Sequence, residues 1–110
     1  MKKILLIISI ILLLMSVMSC GDLPETFTIT YQGNGNTAGY PPIDNKKYKS
    51  GEHATALGKG TLIKEDRDSS GNVIKEYNFG GWNTLSGTHY NPGDKIEIKN
   101  INIILLAVWE

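Results

Sequence analysis

The chain has 110 residues, with 11 basic and 11 acidic side chains and a single cysteine. That length suffices for one domain; the balanced charge excludes the basic stripe a nucleic-acid partner requires, and the lone cysteine excludes an intramolecular disulfide. A small domain without such staples rests on its apolar core, to which Phe27, Tyr77, Phe79, Trp82 and Trp109 are the obvious contributors, because a large aromatic can bury ~150–250 Å².

Met1-Lys2-Lys3 is a positively charged start, and residues 4–18 form an apolar run broken only by Ser9 and Ser16. At ~1.5 Å rise per residue the run covers ~22 Å, short of a hydrocarbon core of ~30 Å, so it reads as the hydrophobic region of a signal peptide rather than as a span. Val17-Met18-Ser19-Cys20 resembles the lipobox of bacterial lipoproteins, with an aliphatic residue three before the cysteine and a small one directly before it. The expectation is a cleaved signal peptide over 1–19, a lipid-bearing Cys20 opening a tether over 20–25, and a folded domain over 26–110. That places the protein in the bacterial cell envelope, anchored by lipid at the outer membrane or cell surface. One acyl chain holds a protein marginally and two or more hold it stably. Loss of Lys2 and Lys3 leaves nine basic against eleven acidic side chains, a formal charge of −2, so sequence assigns membrane association to the anchor and not to electrostatics.

Beyond the tether, residues 26–32 alternate, with Phe27, Ile29 and Tyr31 on one face and Thr or Gln on the other, the pattern of a half-buried strand. Residues 33–44 hold three glycines and Pro41-Pro42 and read as a loop. Residues 52–57 are a weaker strand, and residues 61–64 and 73–79 read as two strands joined by the turn Asp68-Ser69-Ser70-Gly71. Residues 95–99 alternate after the turn Asn91-Pro92-Gly93-Asp94, and from Ile103 to Trp109 both faces are apolar, as in a central strand covered on both sides. Apart from the signal peptide no window offers a capped helical repeat. The fold class expected is mostly β.

Four features imitate functional sites. Gly33-Asn34-Gly35 follows a strand as phosphate-binding loops do, but Tyr40-Pro41-Pro42 prevents the helix whose free N–H groups would meet the anion. Asp66-Arg67-Asp68-Ser69-Ser70-Gly71 matches the opening of a calcium loop, yet the bidentate glutamate position falls on Tyr77, with Glu76 one residue early. His53 and His89 lack the neighbouring ligands of zinc sites. Trp82 and Trp109 suit ligand stacking, but their apolar contexts favour core positions, where Gly80 and Gly81 let backbones approach closely. No catalytic residue, metal site or cofactor is identified, and a domain this small has little room for a substrate cleft.

Tyr77-Asn78-Phe79-Gly80-Gly81-Trp82, then Tyr90-Asn91-Pro92-Gly93-Asp94, then Leu105-Leu106-Ala107-Val108-Trp109, resemble in order and spacing the internalin B-repeat-like domain, also called the Listeria–Bacteroides repeat; Ile29-Thr30-Tyr31-Gln32-Gly33-Asn34-Gly35 resembles its opening strand and turn. The resemblance implies a small β-grasp-like module of bacterial surface proteins, a spacer or binding unit without enzyme activity, in which Tyr77, Phe79, Gly81, Trp82, Pro92, Gly93, Asp94, Leu105 and Trp109 are fold-defining. The sequence departs from that pattern in its Leu106, in the long stretch 64–76, and in having no second copy. The expected function is non-enzymatic surface binding, adhesion or structure toward a host or envelope protein or a glycan. The contact loops would be those holding Asn34 and Asn36 and Asp66 and Asp68, since loops on a rigid scaffold carry recognition. The alternative is a small-ligand or glycan-binding lipoprotein that uses an exposed Trp82 or tyrosines.

Overall fold

A computed structural model describes residues 25–110; the expected signal peptide, Cys20 and the expected tether up to residue 24 lie outside the described residues. The alternating segment becomes β1 (Ile29–Gln32), with Ile29 and Tyr31 buried and their neighbours exposed. Phe27 extends the same buried face through an isolated bridge to Tyr48. The remaining strands are β2 (His53–Thr55), β3 (Glu65–Arg67), β4 (Val73–Glu76), β5 (Phe79–Thr84), β6 (His89–Tyr90), β7 (Lys95–Glu97) and β8 (Ile103–Trp109). The described residues form no helix. The domain is mostly β, divided among small sheets.

The longest and most apolar strand takes the centre. In the four-stranded sheet the order is β1-β8-β5-β6; β8 runs parallel to β1 (Ile29 opposite Ile103) and antiparallel to β5 (Thr84 opposite Leu105). Leu105 and Ala107 point inward and are fully buried. The outer face corrects the expectation of cover on both sides: Ile104 is 36 % exposed. Its flanking residues there are Thr30 and Gln32 of β1 and Asn83 of β5, which are polar.

Two smaller ladders complete the fold. β2 and β7 pair with Ala54 opposite Ile96, both buried, while their neighbours face solvent. Ala54, Ala56, Ile96 and Ile98 join Phe27, Tyr31, Leu62, Trp82 and Leu105 in one core. β3 and β4 form a hairpin outside it. Its first strand is displaced from the 61–64 expected. Leu62 turns into the core, and the Ile63 carbonyl accepts from the Thr37 and Ala38 amides, so this stretch is tied to the glycine loop and strand pairing begins only at Glu65. The stretch expected as one strand over 73–79 is split, because Tyr77 pairs back to Lys64 while Asn78 exchanges both backbone hydrogen bonds with Glu110.

That exchange starts β5 opposite the end of β8, and β5 then carries one residue too many. Phe79 lies opposite Trp109 and Trp82 opposite Ala107, three steps against two. Residues three apart on a regular strand face opposite sides; the bulge at Gly80-Gly81 returns both aromatics to one face. Their rings meet edge to face at 4.9 Å. Trp82 is 0 % exposed, with Tyr31 edge-on at 4.7 Å. Its Nε1 donates to the Leu57 carbonyl (2.8 Å), while the Leu57 amide donates to the Tyr31 hydroxyl (3.1 Å). Trp109, expected as a second core residue, is only partly buried: it closes the rim against Phe79 at 6.0 Å and donates to the Gly33 carbonyl.

Truncating a buried large aromatic typically costs about 3–5 kcal/mol, comparable with the ~5 kcal/mol total stability of a small domain. Trp82→Ala should therefore leave the 21–110 chain largely unfolded at room temperature, whereas Trp109→Ala should stay folded with a lowered urea midpoint. Urea titrations followed by far-ultraviolet circular dichroism check this; equal losses for the two would contradict it.

Candidate functional site

Eight of the nine residues that carry the resemblance belong to the structural frame of the sheet and its turns, and the ninth, Tyr77, lies outside it. Phe79, Gly81 and Trp82 make the bulge and its aromatic cluster. Leu105 is buried beneath it, and Trp109 lies opposite Phe79. Pro92 and Gly93 occupy the middle of a turn in which the Asp94 amide donates to the Asn91 carbonyl and the Asn91 amide to Asp94 Oδ2 (2.7 Å). Gly93 has φ +92°, as the third position of a type II turn requires. Its amide donates to the Ala56 carbonyl, and the Ala56 amide to the Asp94 carbonyl, so the turn clamps the end of β2. Tyr77 stands apart from the core. Lys64 and Lys75 lie over its ring at 4.7 and 4.5 Å, and its hydroxyl donates to Asp66 (2.8 Å).

The two expected contact loops differ in kind. The side-chain amide of Asn34 donates to the Ala107 carbonyl (2.8 Å) from a backbone at φ +53°. That of Asn36 donates to the Ala38 and Gly39 carbonyls. Asn36 thus holds its own loop in shape, and Asn34 pins that loop to β8. The β3–β4 hairpin is the opposite case: all of β4 is exposed, and most of β3 with it. Its order is local. Asp68 Oδ1 accepts from the Asn72 and Ser70 amides (2.9 Å each), which hold its carboxyl below the usual carboxylate range. Arg67 bridges Glu65 and the Gly71 carbonyl. The carboxylates of Asp66 and Asp68, which the calcium spacing would aim at an ion, are directed at Tyr77 and at the turn's own amides. Among the described residues no group of three or more His, Cys, Asp or Glu side chains converges.

The histidines take unrelated places. His53 is exposed on β2, and His89 sits between the side chains of Asn83 (2.7 Å) and Asn91 (3.0 Å), with its ring against Gly81. A polar groove of about 340 Å³ lies beneath the hairpin, bounded by Lys59, Glu76, Tyr77 and Trp109. Sequence reading passed over two exposed apolar groups, Tyr40 with Ile43 and Leu85 with Ile101, because single apolar residues inside turns carry no periodicity.

No family model, curated protein or solved structure matches the chain.

The frame makes one sharp claim. A Cβ on Gly81 would lie 2.8 Å from the His89 ring and 2.9 Å from the Tyr90 carbonyl oxygen, at φ +98°, where L side chains cost about 1–3 kcal/mol. Gly81→Ala should lower stability by at least that much, with Gly71→Ala, which meets nothing within 4 Å, losing less. Thermal melts of the two variants check the order, and reversal would remove the bulge from its place as the frame's pivot.

Proposed function

We propose that this chain is a lipid-anchored cell-envelope protein carrying one internalin B-repeat-like domain, which acts without catalysis by presenting a rigid β surface to a partner. The observation that carries the reading is the complete burial of Trp82. The indole that a glycan-stacking protein would expose is instead the centre of the core, with its only polar atom donating to Leu57. The parallel pairing of the first and last strands, with β5 on the other edge of β8, supports the β-grasp-like form. The protruding hairpin supplies the contact element. It is largely exposed, held by its own hydrogen bonds, and presents Val73 and Ile74 to solvent along β4, an edge on which another chain can add a strand.

One observation favours the glycan- or small-ligand-binding alternative: Tyr40 is 81 % exposed beside Pro41 and Pro42. A tyrosine there offers an apolar ring with a polar tip.

Two measurements test the proposal. Metabolic labelling with a palmitate analogue should mark the wild type and leave Cys20→Ala unmarked; equal labelling of both would contradict the lipid anchor. A photo-crosslinker at Ser70 on intact cells should capture an envelope or host protein, and one at Tyr40 should not. Capture from Tyr40 alone, or retention on a glycan array that Tyr40→Ala abolishes, would move the alternative ahead.

A further inference from the structure

The root of the tether is fixed by the sheet. The Thr28 amide donates to the side chain of Asn102 (2.9 Å), and the Ile103 amide donates to the Thr28 carbonyl (2.9 Å). Because β1 and β8 are parallel, the chain enters the domain at the same end at which β8 begins. β5 runs the other way, so its last residue, Thr84, also lies at this end, opposite Leu105. Three segments therefore converge there: the tether root, the β5–β6 turn and the loop leading into β8.

The turn and the loop carry apolar side chains that the core does not take up. Leu85 is 75 % exposed and Ile101 66 %. With Ile103 and Ile104 they line a shallow groove of about 250 Å³, to which Thr84 and Asn102 add the polar edge. Four aliphatic side chains lining one groove at one end make a small contiguous apolar patch rather than scattered exposed residues, and contiguity is what distinguishes an interaction surface. The neighbouring 45–49 loop reaches the same end, because Phe27 and Tyr48 exchange both backbone hydrogen bonds. That loop brings Lys47 and Lys49, both exposed, on either side of Tyr48. The phenol of Tyr48 is turned away from them toward Asp44 (2.7 Å) and is pushed up to about 12 by burial and by that carboxylate. A pair of aliphatic side chains with lysines nearby is the composition of a surface that lies in the headgroup region of a bilayer.

The length of the tether supplies the occupant. Cys20 lies eight residues before Thr28, and eight residues span at most about 28 Å when fully extended. A lipid on Cys20 therefore keeps the tether root within that distance of the bilayer, and the root is hydrogen-bonded beside Ile101. We infer that the end of the domain bearing Leu85 and Ile101 docks on the lipid surface beside the anchor, inserting these two side chains among the headgroups, so that the β3–β4 hairpin is directed away from the membrane. The inference rests on the lipid-anchor reading proposed above. It changes what anchoring means: the lipid alone would leave the domain free to tumble on its tether, whereas the lipid together with the two inserted side chains fixes which end faces outward. The hairpin joins β5 at Phe79, opposite Trp109, and β8 spans about 20 Å from Ile103 to Trp109 at ~3.3 Å per residue. Its base is thus held roughly that far above the lipid.

The test uses the full lipidated protein, purified from its own membrane and reconstituted into phosphatidylethanolamine–phosphatidylglycerol vesicles. Cys20 is the only cysteine, so with its sulfur in thioether linkage a single new thiol is labelled cleanly. Leu85→Cys, Ile101→Cys and Ser70→Cys are each coupled to the fluorophore NBD, and quenching by lipids carrying nitroxides at graded depths gives the position of each probe. The expected result is a probe depth of about 5–10 Å below the headgroup surface at positions 85 and 101, with position 70 in water. Probes at 85 and 101 that stay in water on protein whose intact mass includes the lipid would overturn the docking face and leave the anchor standing. A mass without lipid would overturn both. Probes shielded from iodide but insensitive to the nitroxide lipids, with shielding that grows as protein density rises, would assign the groove to a second copy of the chain and overturn lipid docking.

Discussion

A strand with one residue too many organises this domain. If β5 paired with β8 in strict register, Phe79 and Trp82 would fall on opposite faces of the sheet, and a large aromatic would stand in solvent. The extra residue at Gly80-Gly81 brings them together, and the rings of Tyr31, Trp82, Phe79 and Trp109 then form a chain of edge-to-face contacts from the core to the rim. The bulge needs a backbone at φ +98° pressed against His89 and Tyr90, a place that only glycine fills without strain. Trp82 in turn draws in the loop after β2, because its N–H and the Tyr31 hydroxyl satisfy both backbone groups of Leu57, which no strand partner would reach. Packing and hydrogen bonding thus converge on one residue, without a buried charge and without an unsatisfied buried side-chain atom among the described residues.

Much of this was legible in the sequence wherever a period of two was clean. The face of Phe27, Ile29 and Tyr31, the inward Ile96 and Ile98, the apolar run that becomes β8 and the turn around Pro92-Gly93 all follow from local patterning. What the sequence concealed depends on pairing between distant segments. Residues 61–64 look like a strand, but Leu62 is claimed by the core and the Ile63 carbonyl by the glycine loop. Trp109 looks as apolar in context as Trp82, yet it ends the central strand and so closes a rim. Asn34 and Asn36 sit in one loop that looks solvent-facing, yet Asn34 is tied to β8 at Ala107 and Asn36 to the carbonyls of its own loop. The outer face of β8 reads as apolar on its own; its partial exposure follows from Thr30, Gln32 and Asn83 on the neighbouring strands, which no reading of β8 alone can supply.

The same topology gives the molecule two unlike ends. Parallel pairing of β1 with β8 puts the tether root beside the exposed Leu85 and Ile101, while the antiparallel return of β5 carries the polar hairpin to the far end of β8. The two ends differ in chemistry: aliphatic side chains and lysines gather where β1 and β8 begin, and a self-capped turn of Asp68, Asn72 and Arg67 stands at the other. A hairpin that keeps its shape by local hydrogen bonds can change its exposed residues without disturbing the core, which is the property the proposed surface role requires.

Trp82 is the dry centre of the domain, and one solution measurement addresses that directly. Trp82 and Trp109 are the only two tryptophans, so a Trp109→Phe variant reports on Trp82 alone. Iodide titration of that variant in native buffer should leave its fluorescence essentially unquenched with emission shifted to the blue, and quenching should appear only when urea unfolds the chain. Native-state quenching near that of free tryptophan would place the indole at the surface, and the bulge, the core and the non-enzymatic surface reading built on them would be contradicted together.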